Sequence, residues 1–273
     1  MSGRAPLALI FDLDDTLIIE ADVAMERLGG TAARLGGTEG GPDTGADAGR
    51  DAAAWCDIVL ESARAEWRRS GFFDVFRELG FASWEGLWSN GAGNHARLDG
   101  LAGWLPGYRE RAWRQALEAA DRDPGAWAEL AEVFIRAQRS GHPLLPGAAE
   151  TVQAAAGRFR LGLLTNGPSD IQHLKLDQTG LAGHFGSVVI SGELGRGKPD
   201  PAIFQAVLAE LEVAPDRTVM IGDSWERDVA GAVEAGLAGA VWVAAGREPP
   251  ETPPPGITVV QAVSAAVVLN LRI

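Results

Sequence analysis

Residues 7–11 (Leu-Ala-Leu-Ile-Phe) form a continuous apolar run that stops at Asp12, and three carboxylates, those of Asp12, Asp14 and Asp15, follow within four residues. An unbroken apolar run of this length predicts a strand that is buried on both faces of a parallel sheet. In open α/β folds the ligand binds at the edge where the strands have their carboxyl ends. Because clustered acids repel one another, the pattern indicates either a solvated acidic turn or a site that holds a cation.

Composition narrows the class of protein. The chain has 273 residues, 46% hydrophobic and 22% charged, which is typical of a soluble globular protein. A net charge of −13 argues against a general nucleic-acid binder but leaves a nucleotide substrate open. The single cysteine, Cys56, excludes an intrachain disulfide, fits a reducing compartment such as the cytoplasm, and is expected to pack in a helix. We expect no signal peptide and no membrane span, because no stretch reaches about 18 apolar residues.

Lysine is scarce in this chain. Of the 24 basic residues only Lys175 and Lys198 are lysines, and all others are arginines. Each lysine is therefore worth examining for a specific role.

Between residues 18 and 142 the apolar positions recur only at helical spacing, which predicts helices at 51–70, 72–79, 108–120 and 124–139. The glycine-rich stretch 36–49 has almost no apolar bulk and is predicted to be a mobile loop, with a substrate lid as the alternative. Seven of the nine tryptophans fall in this segment. We interpret them as the core of a small bundle, with an aromatic wall for a ring-bearing substrate as the alternative.

From residue 143 onward, strands alternate with helices. Strands are predicted at 159–164, 187–190, 218–221, 240–244 and 257–260, and helices at 146–156, 169–179, 201–211, 226–235 and 263–269. Repeated βα units predict an α/β fold, a three-layer Rossmann-like parallel sheet with helices on both faces. We therefore predict a core domain of residues 1–17 and 143–273 and an inserted helical cap domain of residues 18–142.

Polar groups follow four predicted strands: Asp12 with Asp14, Thr165-Asn166-Gly167, Lys198 in Gly-Lys-Pro-Asp-Pro, and Asp223 with Asp228 in Gly-Asp-Ser-x-x-x-Asp. Each motif alone is usually a turn or a capped loop. Together, in order and over residues 5–17 and 143–245, they resemble the haloacid dehalogenase-like hydrolase superfamily, and the insertion resembles its helical caps. The details of the motifs resemble the branch of N-acylneuraminate-9-phosphatase-like and pyrimidine nucleotidase-like phosphatases.

The residue types suit hydrolysis of a phosphate monoester. A carboxylate nucleophile splits the displacement into two steps through an acyl phosphate, and we assign this role to Asp12. Asp14 lies on the same side of an extended chain, where it can protonate the leaving alcohol and then deprotonate water. Thr165 can donate its hydroxyl to the phosphoryl group, and Lys198 supplies a positive charge.

The remaining candidates bind the substrate or a metal. Leu13 and the backbone N–H groups of Asn166 and Gly167, near a helix start, are candidates for binding the substrate anion. The resemblance implies Mg²⁺ held by Asp12, the backbone carbonyl of Asp14, and Asp223. Asp228, five residues beyond Asp223, is expected either at the metal or orienting Lys198.

Other polar residues receive structural interpretations. Asp15 is interpreted as a turn residue whose presence favours phosphatases within the family, and Glu226 and Arg227 as a solvated first helical turn. The four histidines, His95, His142, His173 and His184, show no metal-ligand spacing and are expected to be surface or incidental residues rather than catalytic ones. The alternative for His95 is a cap loop over the substrate, formed by residues 94–97.

These residues predict a cytoplasmic Mg²⁺-dependent phosphatase acting on a small phosphomonoester: a sugar phosphate, a nucleoside monophosphate or a biosynthetic intermediate. No nucleic-acid polymer or membrane partner is expected, and a homo-oligomer is left open. The alternatives are a phosphomutase or phosphotransferase on a sugar phosphate and a non-catalytic phosphate-binding protein. Asp14 disfavours a dehalogenase, and the absence of lysine from residues 18–142 excludes a Schiff-base phosphonatase.

Overall fold

The computed structural model describes residues 6–35 and 46–272. Within these residues six strands form one parallel sheet: β1 (Ala8–Phe11), β2 (Arg160–Thr165), β3 (Ser187–Ile190), β4 (Thr218–Gly222), β5 (Gly239–Val243) and β6 (Ile257–Val260). Their order in the sheet is β3-β2-β1-β4-β5-β6. The predicted α/β class with a parallel sheet is confirmed.

Helices cover both faces of the sheet. One face packs on α6 (Ala148–Ala156), α7 (Ser169–Thr179) and α11 (Ala265–Leu269), and the other on α9 (Pro201–Leu211) and α10 (Gly231–Glu234). The short helix α8 (Ser191–Leu194) follows β3 directly. In β1, Leu9 and Phe11 enter the first of these two cores, and Ala8 and Ile10 enter the second, as the alternation of a strand requires. Leu7, predicted as the first strand residue, precedes the strand and is 49% exposed.

The insertion between β1 and β2 is helical and has its own core. It contains α1 (Ala21–Gly30), α2 (Ala46–Arg68), α3 (Phe73–Leu79), α4 (Leu101–Ala119) and α5 (Trp127–Gln138), and we call it the cap. Trp55, Trp67, Trp88 and Trp113 are buried in this core, which confirms the packing interpretation for these four. Ile171 of α7 joins the same cluster, so the cap packs against the rest of the chain. The domain boundaries stay a prediction.

Two cap helices begin earlier than predicted. Helix α2 begins at Ala46, so the end of the stretch expected to be a loop is helical, while residues 36–45 lie outside the described residues. Helix α4 begins at Leu101 although Pro106 lies inside it. Leu101, Leu105 and Tyr108 are buried on one face, so packing outweighs the proline's missing N–H.

The segment predicted as one helix at 226–235 is split in two. A π-helical turn spans Trp225–Ala230, and α10 follows it. Among the described residues, none of the helices combines the length and the apolar character needed to cross a bilayer.

Candidate active site

The topology of the sheet brings the predicted motifs to one edge. From β1 the chain goes to β2 and β3 on one side and then crosses to β4 on the other side of β1. Asp12 follows β1, Asp223 follows β4, and Thr165 ends β2. The motifs therefore meet where the strand order reverses, which is where open α/β sheets bind their ligands.

Lys198 lies between two carboxylates at this point. Its Nζ is 2.8 Å from Asp12 Oδ1 and 2.7 Å from Asp228 Oδ1, and all three residues are at most 7% exposed. Burial alone would lower the pKa of Lys198, but the two carboxylates raise it above its ordinary value. Lys198 is therefore a permanent cation beside the predicted nucleophile.

Asp12, Asp223 and Asp228 form a cluster of acidic oxygens. Each offers a carboxylate oxygen, and these oxygens lie within 4.8 Å of one another. Burial raises the pKa of Asp12, aided by repulsion from Asp228 and Asp223 and opposed by Lys198. Burial and Asp228 likewise raise the pKa of Asp223 to about 6, against the attraction of Arg247. An all-oxygen cluster with surplus negative charge fits a hard divalent cation such as Mg²⁺.

Asp228 reaches this cluster because Gly222 has no side chain. A Cβ on Gly222 would lie 2.3 Å from Asp228 Cγ, closer than any real contact. The π-helical turn that carries Asp228 is a rare geometry that occurs frequently at functional sites. The Ser224 N–H donates to Asp228 Oδ2 at 2.9 Å and fixes the carboxylate.

The predicted substrate-binding residues differ in what they do. The Asn166 side chain donates to the Lys198 carbonyl at 3.0 Å and accepts from the Lys198 N–H at 2.8 Å, so it holds the loop that carries Lys198. The Gly167 N–H donates to Ser191 Oγ at 2.9 Å, a bond that would have to break before an anion could bind there, so the role of Gly167 stays a prediction. The Leu13 side chain is fully buried in the sheet's core, and a role in substrate binding stays a prediction for this residue. Its N–H donates to Asp12 Oδ1 at 2.8 Å.

Two neighbouring cavities lie over these residues. The core cavity, about 500 Å³, is lined by Asp12, Thr165, Lys198, Asp223 and Arg247 among others. The cap cavity, about 370 Å³, is lined by Glu20, Met25, Leu60, Arg64, Trp84 and Glu85 among others. Asp14, Asp15, Asn166 and Arg227 line both. Asp14 therefore lies at the junction of the two cavities.

A second buried lysine holds Asp14. Lys175 Nζ is 3.0 Å from Asp14 Oδ1 and 2.8 Å from Glu20 Oε1. Gln172 Nε2 donates to Asp14 Oδ2 at 3.0 Å and to Thr165 Oγ1 at 2.6 Å. The sequence analysis predicted no role for Lys175 or Gln172. The scarcity of lysine was the one signal that pointed to Lys175.

Buried acids surround Lys175. Burial raises the pKa of Glu20 to about 7, although Lys175 opposes this, and burial raises the pKa of Glu85 to about 8. His142 Nε2 is 3.0 Å from Glu20 Oε2, and burial together with Lys175 lowers the pKa of His142 to about 4. His142, expected to be a surface or incidental residue, is buried in this cluster, whereas His95, His173 and His184 are exposed.

Asp15 and Arg227 lie at the mouth of both cavities. Asp15 has a φ of 51°, and its Oδ1 accepts from the N–H groups of Glu20 at 2.9 Å and Ala21 at 3.2 Å. It is therefore a turn residue that caps α1, as predicted. Arg227 is exposed, as predicted, but it also lines both cavities.

Two further predictions concern loops. The stretch at residues 94–97 docks on the core, where the His95 N–H donates to the Gly192 carbonyl at 2.7 Å, and it does not line the two cavities. Arg247, which the sequence did not single out, donates to Asp223 Oδ2 at 3.1 Å. Cys56 is buried in α2, as predicted.

Several known proteins are similar in sequence. The phosphoserine phosphatase of Thermus thermophilus is 39% identical over 252 residues, which cover 90% of this chain and 92% of that protein. The pyrimidine 5'-nucleotidase YjjG of Escherichia coli is 39% identical over 153 residues, 55% of this chain and 65% of that protein. The human N-acylneuraminate-9-phosphatase is 40% identical over 142 residues, 50% of this chain and 56% of that protein.

Solved structures share the fold. The putative hydrolase YfnB of Bacillus subtilis has a TM-score of 0.61 at 20% identity and covers 95% of this chain and 96% of that one. The 2-haloacid dehalogenase of Pseudomonas syringae has a TM-score of 0.57 at 24% identity, covering 97% and 98%. The family model of the haloacid dehalogenase-like hydrolases matches residues 7–236. This chain therefore belongs to the haloacid dehalogenase-like hydrolases, and within them to the phosphatase branch.

Proposed function

We propose that this protein is a Mg²⁺-dependent phosphatase that hydrolyses a small phosphomonoester through a phosphoryl group carried on Asp12. One observation supports this above all: Asp14 lies at the junction of the cavity that contains Asp12 and the cavity beneath the cap. A substrate with its phosphoryl group in the core cavity and its alcohol in the cap cavity has its bridging oxygen beside Asp14.

In the first step the Asp12 carboxylate attacks phosphorus and the bond to the bridging oxygen breaks. Asp14 gives that oxygen a proton, so that the product leaves as an alcohol. Lys198 and the Leu13 N–H, both within hydrogen-bond distance of Asp12 Oδ1, fix the orientation of the nucleophile. Asp12 and Asp223 would hold a divalent cation, whose positive charge would offset the repulsion between carboxylate and phosphate.

In the second step Asp14 takes a proton from a water molecule, which attacks the phosphoryl group and releases Asp12. Thr165 Oγ1 accepts from Gln172 and donates to the Asn166 carbonyl at 3.4 Å, a long bond that its hydroxyl can exchange for one to a phosphoryl oxygen. Burial of Asp12 and Lys198 limits the access of bulk water and strengthens these charge interactions.

We further propose that the alcohol carries both a positive and a negative group, as in O-phosphoserine. The cap cavity offers Arg64 and Arg227 as cations and the carboxyl oxygens of Glu20 and Glu85 as hydrogen-bond acceptors for an ammonium group. Among the described residues, Arg64 has one ion pair, at 3.9 Å with exposed Glu61, so its charge is accessible to a ligand carboxylate. The similarity to the Thermus phosphoserine phosphatase, which extends over 90% of this chain, supports the same class of substrate.

The first experiment measures phosphate release from O-phosphoserine, sugar phosphates and nucleoside monophosphates, with Mg²⁺ and with chelator. We expect Mg²⁺-dependent release, and a loss of more than about 10³-fold in Asp12→Asn. Asp216→Asn, an exposed acid, is the matched control and should keep full activity. Full activity in Asp12→Asn contradicts the assigned nucleophile. No release by the wild type from any substrate favours a non-catalytic phosphate-binding protein, and isomer exchange without phosphate release favours a mutase.

The second experiment compares O-phosphoserine with O-phosphoethanolamine, which lacks the carboxylate. Arg64→Ala should lower kcat/KM about tenfold for phosphoserine and much less for phosphoethanolamine, because an exposed ion pair with the substrate is lost. Arg68→Ala, on the same helix but outside the cap cavity, is the control. An equal loss on both substrates contradicts the role of Arg64.

A further inference from the structure

We propose that Lys175 is the positioning residue for proton transfer: it holds the Asp14 carboxylate in place from a buried cluster that the cap and the core share. This inference rests on the proposed function, because that function gives Asp14 its role as acid and base. It assigns a role to a residue that lies outside the four strand-end motifs.

Asp14 is held through both of its oxygens. Lys175 Nζ lies 3.0 Å from Oδ1, and Gln172 Nε2 donates to Oδ2 at 3.0 Å. Lys175 and Gln172 are three residues apart on α7, so they project from the same face of one rigid helix. Two donors on two oxygens fix the rotation of the carboxylate about its last bond, which a single hydrogen bond leaves free.

Lys175 is itself fixed on several sides. Its side chain has 0% exposure, and its second ion pair is with Glu20, whose Oε1 lies 2.8 Å from Nζ. The rings of Trp84 and Trp88 have their centroids 5.7 and 5.8 Å from Nζ, within reach of a cation–π attraction. A cation held in this way is pre-organised and does not need to reorient during the reaction.

The partners come from two parts of the chain. Asp14, Gln172 and Lys175 lie in the core motif and α7, whereas Glu20, Trp84 and Trp88 belong to the cap segment. Lys175 is therefore in place only when the cap is docked as it is in this structure. The geometry that proton transfer requires is coupled to the cap position that covers the substrate.

Gln172 does not replace Lys175. Its amide is shared with Thr165, and it carries no charge to balance Asp14 beside the acids Glu20 and Glu85. Without Lys175 we expect Asp14 to rotate away from the junction of the cavities. The steps that need proton transfer should then slow, while attack by Asp12 is preserved.

The experiment separates the two half-reactions of Lys175→Met by stopped-flow kinetics. An aryl phosphate with a good leaving group needs no proton from Asp14 in the first step, whereas an alkyl phosphomonoester does. We expect a burst of aryl alcohol at nearly the wild-type rate, followed by slow turnover. Turnover of the alkyl phosphomonoester should fall about 10²-fold without a burst, and Lys175→Arg, which keeps the charge and donors, should recover most of it.

Two further variants keep the outcome decisive. Thr151→Val removes a buried hydroxyl bonded within α6 and should lower stability while leaving the ratio of burst to turnover unchanged. Glu20→Gln keeps the size of the side chain and removes the negative charge that pairs with Lys175. If Lys175→Met does not fold, Glu20→Gln tests the same step, and we expect the same selective loss to a smaller degree. An equal loss of burst and turnover, or wild-type kinetics in both variants, overturns the role of Lys175. No turnover by the wild type contradicts the proposed function and this inference together.

Discussion

The two lysines of the chain lie in two buried clusters that serve different purposes, although each lysine pairs with two carboxylates. Lys198 lies between Asp12 and Asp228, and Lys175 lies between Asp14 and Glu20. Around Lys198 three acidic oxygens lie within 4.8 Å of one another, a surplus of charge that a metal ion can neutralise. Around Lys175, burial raises the pKa of Glu20 to about 7 and that of Glu85 to about 8, which favours their protonated forms over their charged ones. One cluster is built to attract a cation and the other to hold one carboxylate still.

The largest effect that separates the clusters is expected for Lys198→Met. It removes the cation beside both nucleophile and phosphate, so turnover should fall about 10³-fold for aryl and alkyl phosphates alike. Equal loss on both substrates is the opposite of the pattern expected for Lys175→Met. Arg196→Met, an exposed cation on the same loop, is the control and should keep full activity. A selective loss on alkyl phosphates alone would mean that both lysines act on one step.

The sequence predicted the Lys198 cluster better than the Lys175 cluster. Asp12 and Asp223 directly follow strands, and Lys198 lies in a loop beyond a strand. Parallel strands bring their carboxyl ends to one edge of the sheet, independently of how the helices pack. Glu20 and Glu85 come from a segment without motifs, and their placement near Lys175 depends on how the cap packs. Only the rarity of lysine drew attention to Lys175.

Similar limits explain the errors in the fold. The strands, and helices such as α7 and α9, follow from apolar runs, caps and terminal glycines, which are local signals. The start of α4 and the burial of His142 depend on neighbours distant in sequence. The π-helical turn at Asp228 likewise depends on the tight contact with Gly222, which residue patterns do not encode.

The second prediction concerns stability and pH at the Lys175 cluster. Glu85 has a pKa of about 8 when folded and about 4.5 as the unperturbed reference, so between these pH values the folded state keeps a proton that the unfolded state has lost. The stability that this retained proton contributes to the folded state is therefore fully present below about pH 4.5 and is lost as the pH rises through about 8. Glu85→Gln should gain stability relative to the wild type over this range, on the order of 2 kcal/mol.

Chemical denaturation at pH 5, 7 and 9 measures this difference. Glu248→Gln, an exposed acid, is the control and should show no such trend. A free-energy difference between Glu85→Gln and the wild type that does not change with pH would mean that Glu85 is ionised throughout.

The third prediction tests the Lys198 cluster through Gly222→Ala. The new methyl group would overlap Asp228 Cγ and push this carboxylate out of the cluster, so Mg²⁺ affinity measured by calorimetry should fall about 10- to 100-fold. Gly183→Ala is the matched control, because a Cβ there meets no atom within 4 Å. Unchanged affinity in Gly222→Ala would show that Asp228 is not needed at the metal.

The smallest effect is expected at Asp15, which connects the two clusters along the chain. It follows Asp14, and its carboxylate binds the backbone of Glu20 and Ala21. Asp15→Ala loses this cap and puts alanine at a φ of 51°, so the free energy of unfolding should fall by about 1–2 kcal/mol. Asp15→Asn, which tolerates this φ and keeps an acceptor, should lie within about 0.5 kcal/mol of the wild type. Equal losses in both variants would assign the effect to charge.

The division of labour between the clusters is tested most directly in Asp14→Asn, mixed with an aryl phosphate and Mg²⁺, quenched in acid and mapped by mass spectrometry. Asp12 and Lys198 are intact in this variant, while the base that activates water is missing. We expect nearly one phosphoryl group per protein on the peptide that contains Asp12. Release of aryl alcohol with no phosphorylated peptide, or with the phosphoryl group on another residue, would contradict the assignment of Asp12 as nucleophile and Asp14 as base.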